Sequence, residues 1–222
     1  MNSKSQGRLL VLEGLDGSGK TSVWNVLRER AAAAGRDTVF GTDPGGTALG
    51  RRIRTLLLNP DAGAEAPSPM AELLLYLASR AQLVREVVSP ALAAGRDVVL
   101  DRYWLSTLAY QGLAGLMPPE RLRAFVLDAV GDEQARHPDS VVWLKLPAEE
   151  GWRRLGRART KDRIESRGLD YLRAVEARYV EERAILPPRV RLEIIDATRP
   201  PVEVAGAVEA LWFNGYRITD RG

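Results

Sequence analysis

Short apolar runs alternate with longer segments of helical periodicity along most of this chain. Leu9-Leu10-Val11-Leu12 has the length and the unbroken apolar character of a buried strand, whereas Val23, Val26 and Leu27 have the i, i+3, i+4 spacing of one helix face. Strands that alternate with helices in this way indicate βαβ units and a mostly parallel sheet. We therefore predict an α/β fold with a parallel sheet of about five strands, at residues 8–12, 38–41, 97–100, 140–145 and 191–195.

The string AAGRD occurs twice, at 33–37 and 93–97, and each copy precedes an apolar run. We interpret both copies as a helix that ends at glycine and turns back into a strand. The longest helical stretch is predicted at 69–94, where Pro90 should bend or interrupt it. No segment has the composition of an interdomain linker, so residues 1–222 are expected to form a single domain.

Composition narrows the class of protein. The balance of 32 Lys+Arg against 29 Asp+Glu leaves a net charge of only +3, so no nucleic-acid partner is expected. The chain has no cysteine, which excludes disulfides and thiolate chemistry, and its one histidine, His137, is followed by Pro138 as in a surface turn. With a polar N-terminus and no apolar run of membrane-spanning length, we expect a cytoplasmic protein without a membrane segment.

A phosphate-binding loop follows the first predicted strand. The pattern G-x-x-x-x-G-K-[ST] is matched by Gly14, Leu15, Asp16, Gly17, Ser18, Gly19, Lys20 and Thr21. A strand, a glycine loop and a helix N-terminus together aim backbone N–H groups at an anion. Lys20 is expected to reach the β- and γ-phosphates, and Thr21 to offer its hydroxyl to Mg²⁺. The alternative, a glycine-rich turn before an ordinary helix, does not require the lysine and threonine.

Asp101 and Arg102 come directly after the apolar run 98–100. In an open parallel sheet, ligands bind beyond the carboxyl ends of the strands. A carboxylate there can hold Mg²⁺ through water, as the second acidic element of P-loop enzymes does, and the guanidinium of Arg102 can bind a second phosphate. The alternative is an Asp–Arg pair that caps a helix. Phosphoryl transfer suits a chain without a histidine base, since its catalysis is mostly positioning and charge neutralisation.

Two helical segments carry side chains suited to a planar heterocycle. Thr107, Tyr110 and Gln111 share one face of a helix, and Tyr76 and Arg80 are four residues apart on another. An aromatic ring can stack on a base while a guanidinium donates hydrogen bonds to its edge. Tyr76 has a second interpretation, as a core residue between Leu73 and Leu77, because aromatic residues in helices are usually buried.

The segment 151–167 is rich in arginine. A solvated helix face accounts for most such charge runs. A lid that closes over a transferring phosphoryl group also needs arginines, each worth on the order of 10³–10⁵ in rate.

Taken in order, these motifs resemble those of the thymidylate kinase family, from Leu9 to about Thr198. The family loop E-G-x-D-G-x-G-K-T corresponds to Glu13–Thr21, and its D-R-Y-x-x-S-[ST]-x-A-Y-Q-G to residues 101–112. The lid motif D-R-[IL]-E corresponds to residues 162–165, and L-L-F-x-A-x-R-A-Q to residues 74–82. The arginine-rich lid, with no arginine at Gly17 or Ser18, resembles the bacterial subgroup.

The resemblance implies a P-loop nucleoside monophosphate kinase that phosphorylates dTMP to dTDP with ATP and Mg²⁺ by in-line transfer, and that generally forms a homodimer. It implies that Asp16 touches the acceptor sugar or its phosphate and that Arg54 and Arg102 hold the acceptor phosphate. Tyr76 would stack on the base, Arg80 and Thr107 would bind its edge, and Tyr110 would exclude a ribose 2′-hydroxyl. The transition-state charge would come from the lid arginines, namely Arg157, Arg159 and Arg163.

The sequence departs from the family pattern at three places, of which the first two would lie near the acceptor. Thr42-Asp43 stands where the family has Arg-Glu before P-G-G-T, Gln111-Gly112 lacks the usual Arg-Gly continuation, and Glu176 occupies a commonly basic position. Other acceptors therefore remain open, namely dUMP, dCMP and a 5-modified deoxyuridylate. A non-catalytic nucleotide-binding module is the alternative from a different class of protein.

Overall fold

The fold is described from a computed structural model, which covers residues 6–58, 65–156, 162–164 and 167–214. In these ranges it contains five parallel strands in the order β2-β3-β1-β4-β5. The strands are β1 (Leu9–Glu13), β2 (Thr38–Thr42), β3 (Asp97–Asp101), β4 (Ser140–Lys145) and β5 (Arg191–Asp196). All five predicted strands are thus confirmed, each within one residue at either end.

Helices fill the intervals between the strands. The helices before β3 are α1 (Lys20–Ala33), α2 (Ala48–Leu58), α3 (Pro69–Leu83) and α4 (Ser89–Ala93). Those after it are α5 (Trp104–Tyr110), α6 (Pro119–Asp128), α7 (Glu133–Arg136), α8 (Ala148–Leu155), α9 (Leu169–Arg183) and α10 (Pro201–Glu209). A 3₁₀ turn at Gln111–Ala114 extends α5, and a π-helical turn at Ala210–Asn214 extends α10.

The central strand β1 is apolar on both faces, as a buried parallel strand must be. Leu9 and Val11 face a core formed with α3, α5 and α9, while Leu10 and Leu12 face a second core formed with α1 and α10. The strand order reverses at β1, because β3 and β2 lie on one side of it whereas β4 and β5 lie on the other. A crevice forms beyond the carboxyl ends of the strands at such a point, which is where ligands bind in open α/β sheets.

The two AAGRD segments end helices in the same way. Gly35 and Gly95 adopt φ angles of 63° and 78°, and the arginine after each glycine donates its backbone N–H to the carbonyl five residues earlier. This is a glycine C-cap, followed by a strand in both copies as predicted. The interruption predicted at Pro90 takes the form of a π-helical turn, Val84–Val88, between α3 and α4. Proline lacks the N–H that would continue the regular helical ladder.

Candidate active site

The glycine loop joins β1 to α1 at the centre of the crevice. Gly14, Gly17 and Gly19 have φ angles of 144°, 82° and 83°, which L-residues with side chains rarely adopt. Gly17 also packs against the backbone of α8, because a Cβ atom at this position would lie 2.7 Å from the carbonyl oxygen of Gly151. Position 17 therefore has no room for an arginine side chain.

Lys20 lies buried inside this loop. Its Nζ donates hydrogen bonds to the carbonyl oxygens of Gly14 at 3.0 Å and Leu15 at 2.7 Å. Burial, together with the nearby charge of Arg102, lowers the pKa of Lys20 to about 8. The ammonium group is thus held at the point where the loop would surround an anion.

Thr21 and Asp101 meet although they are 80 residues apart. The Thr21 hydroxyl lies 3.3 Å from Oδ2 of Asp101, and Oδ1 of Asp101 is buried without a hydrogen-bond partner in the described part of the chain. A hydroxyl and an unsatisfied carboxylate oxygen suit a hard cation such as Mg²⁺, which keeps several waters and binds through few protein ligands. In keeping with such a sparse site, the described residues contain no cluster of three or more His, Cys, Asp or Glu side chains suited to holding a metal.

Arg102 joins the glycine loop to the neighbouring pocket. Its backbone adopts φ 69°, and its Nη1 donates to the Gly14 carbonyl and to Ser106 Oγ, both at 3.0 Å. Its Nη2 forms an ion pair with Asp16, whose carboxylate also accepts a hydrogen bond from the Tyr110 hydroxyl at 3.0 Å. Burial raises the pKa of Asp16, but the charges of Arg102 and Lys20 lower it by more than burial raises it, so the net shift is downward.

Glu13 is linked to Arg102 through two shared hydroxyl groups. This fully buried carboxylate accepts hydrogen bonds from the backbone N–H groups of Tyr103 and Ser106, and from the hydroxyls of Ser106 and Tyr179. Arg102 donates to the same two hydroxyls. Burial raises the pKa of Glu13, and its hydrogen bonds and Arg102 oppose that shift. The sequence motif included Glu13, but nothing in its local pattern indicated that it would contact the segment after β3.

A pocket opens beside the loop and contains every residue predicted to bind the acceptor. These residues are Asp16, Arg54, Tyr76, Arg80, Arg102, Thr107, Tyr110 and Gln111. They come from the glycine loop, α2, α3, the segment between β3 and α5, α5 itself and the 3₁₀ turn that follows it. Asp43, Pro44, Asp162 and Ile164 complete the lining together with Leu58 and Ser106. Asp16 and Arg102 therefore belong both to the loop and to the pocket.

A buried ion pair forms part of the pocket lining. Arg80 Nε donates to Asp43 Oδ2 at 2.6 Å, and Arg80 Nη2 donates to Thr107 Oγ1 at 2.7 Å. Nη1 of Arg80 is buried and has no partner in the described part of the chain, although the side chain lines the pocket. Nη1 of Arg80 is thus available to donate a hydrogen bond to a ligand in the pocket.

Tyr76 and Arg54 also line the pocket. Tyr76 is partly exposed, unlike Leu73 and Leu77 beside it in α3, and burial raises the pKa of its hydroxyl. Arg54 Nη1 donates to the Pro44 carbonyl at 3.0 Å. A ring that faces a pocket in this way favours the stacking interpretation of Tyr76 over a role confined to the core.

Glu72 connects the pocket with the lid segment. It accepts hydrogen bonds from Gln111, which follows α5, and from Arg163 and Arg167 of the lid segment. Arg163 also donates from Nε to the Leu57 carbonyl at 2.9 Å, and its neighbours Asp162 and Ile164 line the pocket. The other two predicted lid arginines, Arg157 and Arg159, lie outside the described residues.

Comparison with known proteins assigns this architecture to a family. A family model described as Thymidylate kinase matches residues 12–208. The chain belongs to the thymidylate kinase family. A protein from Chromobacterium violaceum named Thymidylate kinase is 40% identical over 217 residues, which cover 98% of this chain and 97% of that protein. A Thymidylate kinase from Deinococcus radiodurans is 39% identical over 206 residues, covering 93% of this chain and 96% of the relative.

Family membership confirms the resemblance inferred from the motifs, and two of the departures from the thymidylate kinase pattern have structural explanations. Asp43, in place of the family glutamate, pairs with Arg80 at the base of the pocket. Glu176, at a commonly basic position, accepts a hydrogen bond from the backbone N–H of Ala148 at 3.0 Å and so caps α8. Neither substitution leaves a buried charge without an opposing group.

Arg154 is a feature of this thymidylate kinase that sequence reasoning did not single out from the lid segment. Its Nη1 and Nη2 each lie 3.3 Å from a carbonyl oxygen, those of Gly17 and Thr198. It therefore connects the glycine loop to the segment after β5. In the described part of the chain, no helix is both long and apolar enough to cross a membrane.

Proposed function

We propose that this chain transfers the γ-phosphoryl group of ATP to the 5′-phosphate of dTMP, giving ADP and dTDP. The observation that carries the proposal is the position of Arg102, which donates to the Gly14 carbonyl of the glycine loop and also lines the adjacent pocket. One guanidinium can thus reach the junction between a donor in the loop and an acceptor in the pocket. Family membership supplies the identity of the substrates.

The donor end is formed by the glycine loop. Its backbone N–H groups and the Lys20 ammonium bind the β- and γ-phosphates, and Lys20 exchanges the carbonyls of Gly14 and Leu15 for phosphate oxygens. Thr21 and Asp101 hold Mg²⁺. When bound there, this ion would neutralise part of the charge on the transferring group.

At the acceptor end, Arg102 and Arg54 bind the 5′-phosphate and direct one of its oxygens at the γ-phosphorus. No general base is needed, because a phosphate monoester oxygen is already a competent nucleophile. The protein contributes by holding the two anions end to end, and proximity of this kind supplies much of the rate enhancement. Arg102 releases Asp16 in part when the acceptor phosphate arrives.

The base and sugar are recognised along the rest of the pocket. Tyr76 stacks on the base, and Arg80 and Thr107 bind its edge. Tyr110, whose hydroxyl is held by Asp16, occupies the space of a ribose 2′-hydroxyl. Gln111 completes the lining.

The lid arginines Arg157, Arg159 and Arg163 supply positive charge to the transferring group when the lid closes. The geometry at Gly17 supports this assignment, because the close approach of Gly151 excludes an arginine from that position of the loop. The charge must therefore come from another segment.

The test is a substrate panel. The purified protein is mixed with ATP, Mg²⁺ and each nucleoside monophosphate in turn, and diphosphate formation is followed by chromatography. We expect the most diphosphate product from dTMP, less from dUMP and the least from dCMP. Stoichiometric ATP binding with no turnover on any pyrimidine deoxynucleotide would overturn the proposal and support a non-catalytic nucleotide-binding module.

We further propose a homodimer, one domain per protomer, acting in the cytoplasm where its substrates occur. Four large apolar side chains are exposed on α2 and α3, namely Leu49, Leu56, Met70 and Leu74. Exposed apolar patches of this kind mark association surfaces. Leu56→Glu with Leu74→Glu should yield a monomer in sedimentation, whereas the matched control Val202→Glu, at an exposed valine on α10, should not.

A further inference from the structure

Glu72 does not line the acceptor pocket, but it holds a residue that does. Its Oε1 accepts a hydrogen bond from Gln111 Nε2 at 2.9 Å, and both side chains are almost fully buried. Gln111 lines the pocket together with Arg80 and Thr107. Contact with Glu72 therefore decides what Gln111 presents to a ligand.

The carboxylate of Glu72 is ionised. Its Oε2 accepts hydrogen bonds from Arg163 and from Arg167, the latter at 2.8 Å. Burial raises the pKa of Glu72. The hydrogen bonds from Arg163 and Gln111 and the charge of Arg167 lower it by more, so the net shift is downward. An ionised carboxylate has no proton to donate, so it only accepts hydrogen bonds.

One orientation of the Gln111 amide follows from this chemistry. The two ends of a glutamine amide differ, one being an NH₂ donor and the other a carbonyl acceptor, and their assignment follows from the hydrogen-bond network. Beside an acceptor-only carboxylate the NH₂ group must face Glu72. The carbonyl Oε1 then points elsewhere, and it makes no hydrogen bond within residues 6–58, 65–156, 162–164 and 167–214.

We infer that Glu72 is a positioning residue that sets pyrimidine selectivity by orienting the Gln111 carbonyl toward the base. This inference rests on the proposed function. A thymine or uracil ring carries a hydrogen on N3 next to the carbonyl at C4, so its N3–H can donate to Oε1 while the C4 carbonyl oxygen accepts from the unpartnered Nη1 of Arg80. A cytosine ring has a lone pair at N3 and an amino group at C4, so both contacts would be lost.

The expected size of the effect is set by what the substitution removes. A site built to hydrogen-bond one ring rejects its mismatched analogue strongly, because buried polar groups are then left unpaired. Glu72→Gln leaves Arg80 in place and permits the Gln111 amide to turn. We therefore expect a partial loss of selectivity, about tenfold, the equivalent of one hydrogen bond.

The experiment compares kcat/KM for dTMP and for dCMP in the wild type and in Glu72→Gln. The ratio of the two values should fall about tenfold in the variant. Where dCMP is turned over too slowly, its inhibition constant against dTMP replaces kcat/KM. Loosening of Arg163 and Arg167 would alter both acceptors equally and leave the ratio unchanged. An unchanged ratio overturns the inference, whereas absence of dTMP turnover in the wild type overturns the proposed function instead.

Two controls keep the result specific. Gln82 of α3 donates to Glu86 of the following π turn, and this Gln–Glu pair does not line the pocket. Glu86→Gln makes the same chemical change there. The ratio of kcat/KM for dTMP to that for dCMP should match the wild-type ratio in this variant. Gln111→Ala should lower the ratio by itself, and adding Glu72→Gln to it should lower the ratio no further. A wild-type ratio in Gln111→Ala would overturn the inference even if Glu72→Gln failed to fold.

Discussion

Two Arg–Asp pairs line the pocket beside the glycine loop, and they differ in exposure. Arg80 and Asp43 have side chains 1% and 0% exposed, whereas Arg102 and Asp16 are 17% and 21% exposed. In the proposed function, the first pair, which is joined to Thr107, serves the base end of the acceptor. The second pair, which contacts the glycine loop, serves its phosphate end.

The difference in exposure separates two uses of the same chemistry. A buried ion pair cannot lose one partner without leaving an uncompensated charge in a medium of low dielectric constant, so Arg80–Asp43 acts as a fixed part of the scaffold. A partly solvated pair can exchange partners at little cost, and Arg102 can therefore turn from Asp16 to a substrate phosphate. Stability should depend on the first pair and turnover on the second.

Arg102→Ala should cause the largest effect. Loss of the guanidinium that binds the acceptor phosphate and aligns its oxygen with the γ-phosphorus should lower kcat on the order of 10²–10³-fold. Steady-state kinetics with saturating dTMP and ATP measure it. Turnover close to the wild-type value would show that Arg102 does not act on the reacting phosphates.

Asp43→Asn should mainly affect stability. The isosteric amide leaves the Arg80 charge buried without its counterion, and breaking a buried pair costs about 3–5 kcal/mol. Denaturant unfolding measures the loss. The matched change at the phosphate end, Asp16→Asn, should cost only about 1 kcal/mol. Equal losses at the two sites would remove the distinction between the pairs.

Tyr76→Ala probes the region between the two pairs. We expect the KM for dTMP to rise by the equivalent of about 1–3 kcal/mol of lost stacking, with little change in the KM for ATP. Tyr76→Phe keeps the ring and should behave like the wild type. A similar rise in both KM values would return Tyr76 to a role in core packing.

The smallest effect is expected in the pH dependence of ATP binding. The pKa of Lys20 in the free protein is lowered to about 8, so its ammonium loses its proton as the pH rises through that value. Phosphate favours the protonated form, and the Kd for ATP should therefore be flat below pH 7 and rise about tenfold between pH 7.5 and 9. Calorimetry measures Kd. Lys20→Arg, which stays protonated, should abolish the rise, and a rise that persists would assign it to another group.

The two ends of the site also differ in how far sequence could predict them. The glycine loop is contiguous, and its residues carry their geometry locally through positive φ angles at glycine. The pairing of Thr21 with Asp101 could be expected because Asp101 ends one strand of the parallel sheet and Thr21 follows the loop after the neighbouring strand. By contrast, nothing in the sequence pairs Asp43 with Arg80, since the contact depends on how the end of β2 packs against α3.

Glu13 and Glu72 illustrate the limit most clearly. Glu13 occurs in the loop motif and Glu72 in a predicted helix, and neither acidic residue has a partner that its local sequence indicates. Glu13 acquires its role because four donors from the segment after β3 and from α9 converge on it. Glu72 acquires its role because Gln111 and two arginines from distant segments meet at one carboxylate.

The order of apolar and polar residues determined the strands, the helices between them and the phosphate-binding loop, because each depends on periodicity or on backbone freedom within a few neighbouring residues. The tertiary structure alone decided which carboxylates are buried, which arginines they hold and which atoms remain free to meet a ligand. Hydrogen bonding and desolvation act between atoms brought together from distant parts of the chain, and these distances exist only after the elements have packed.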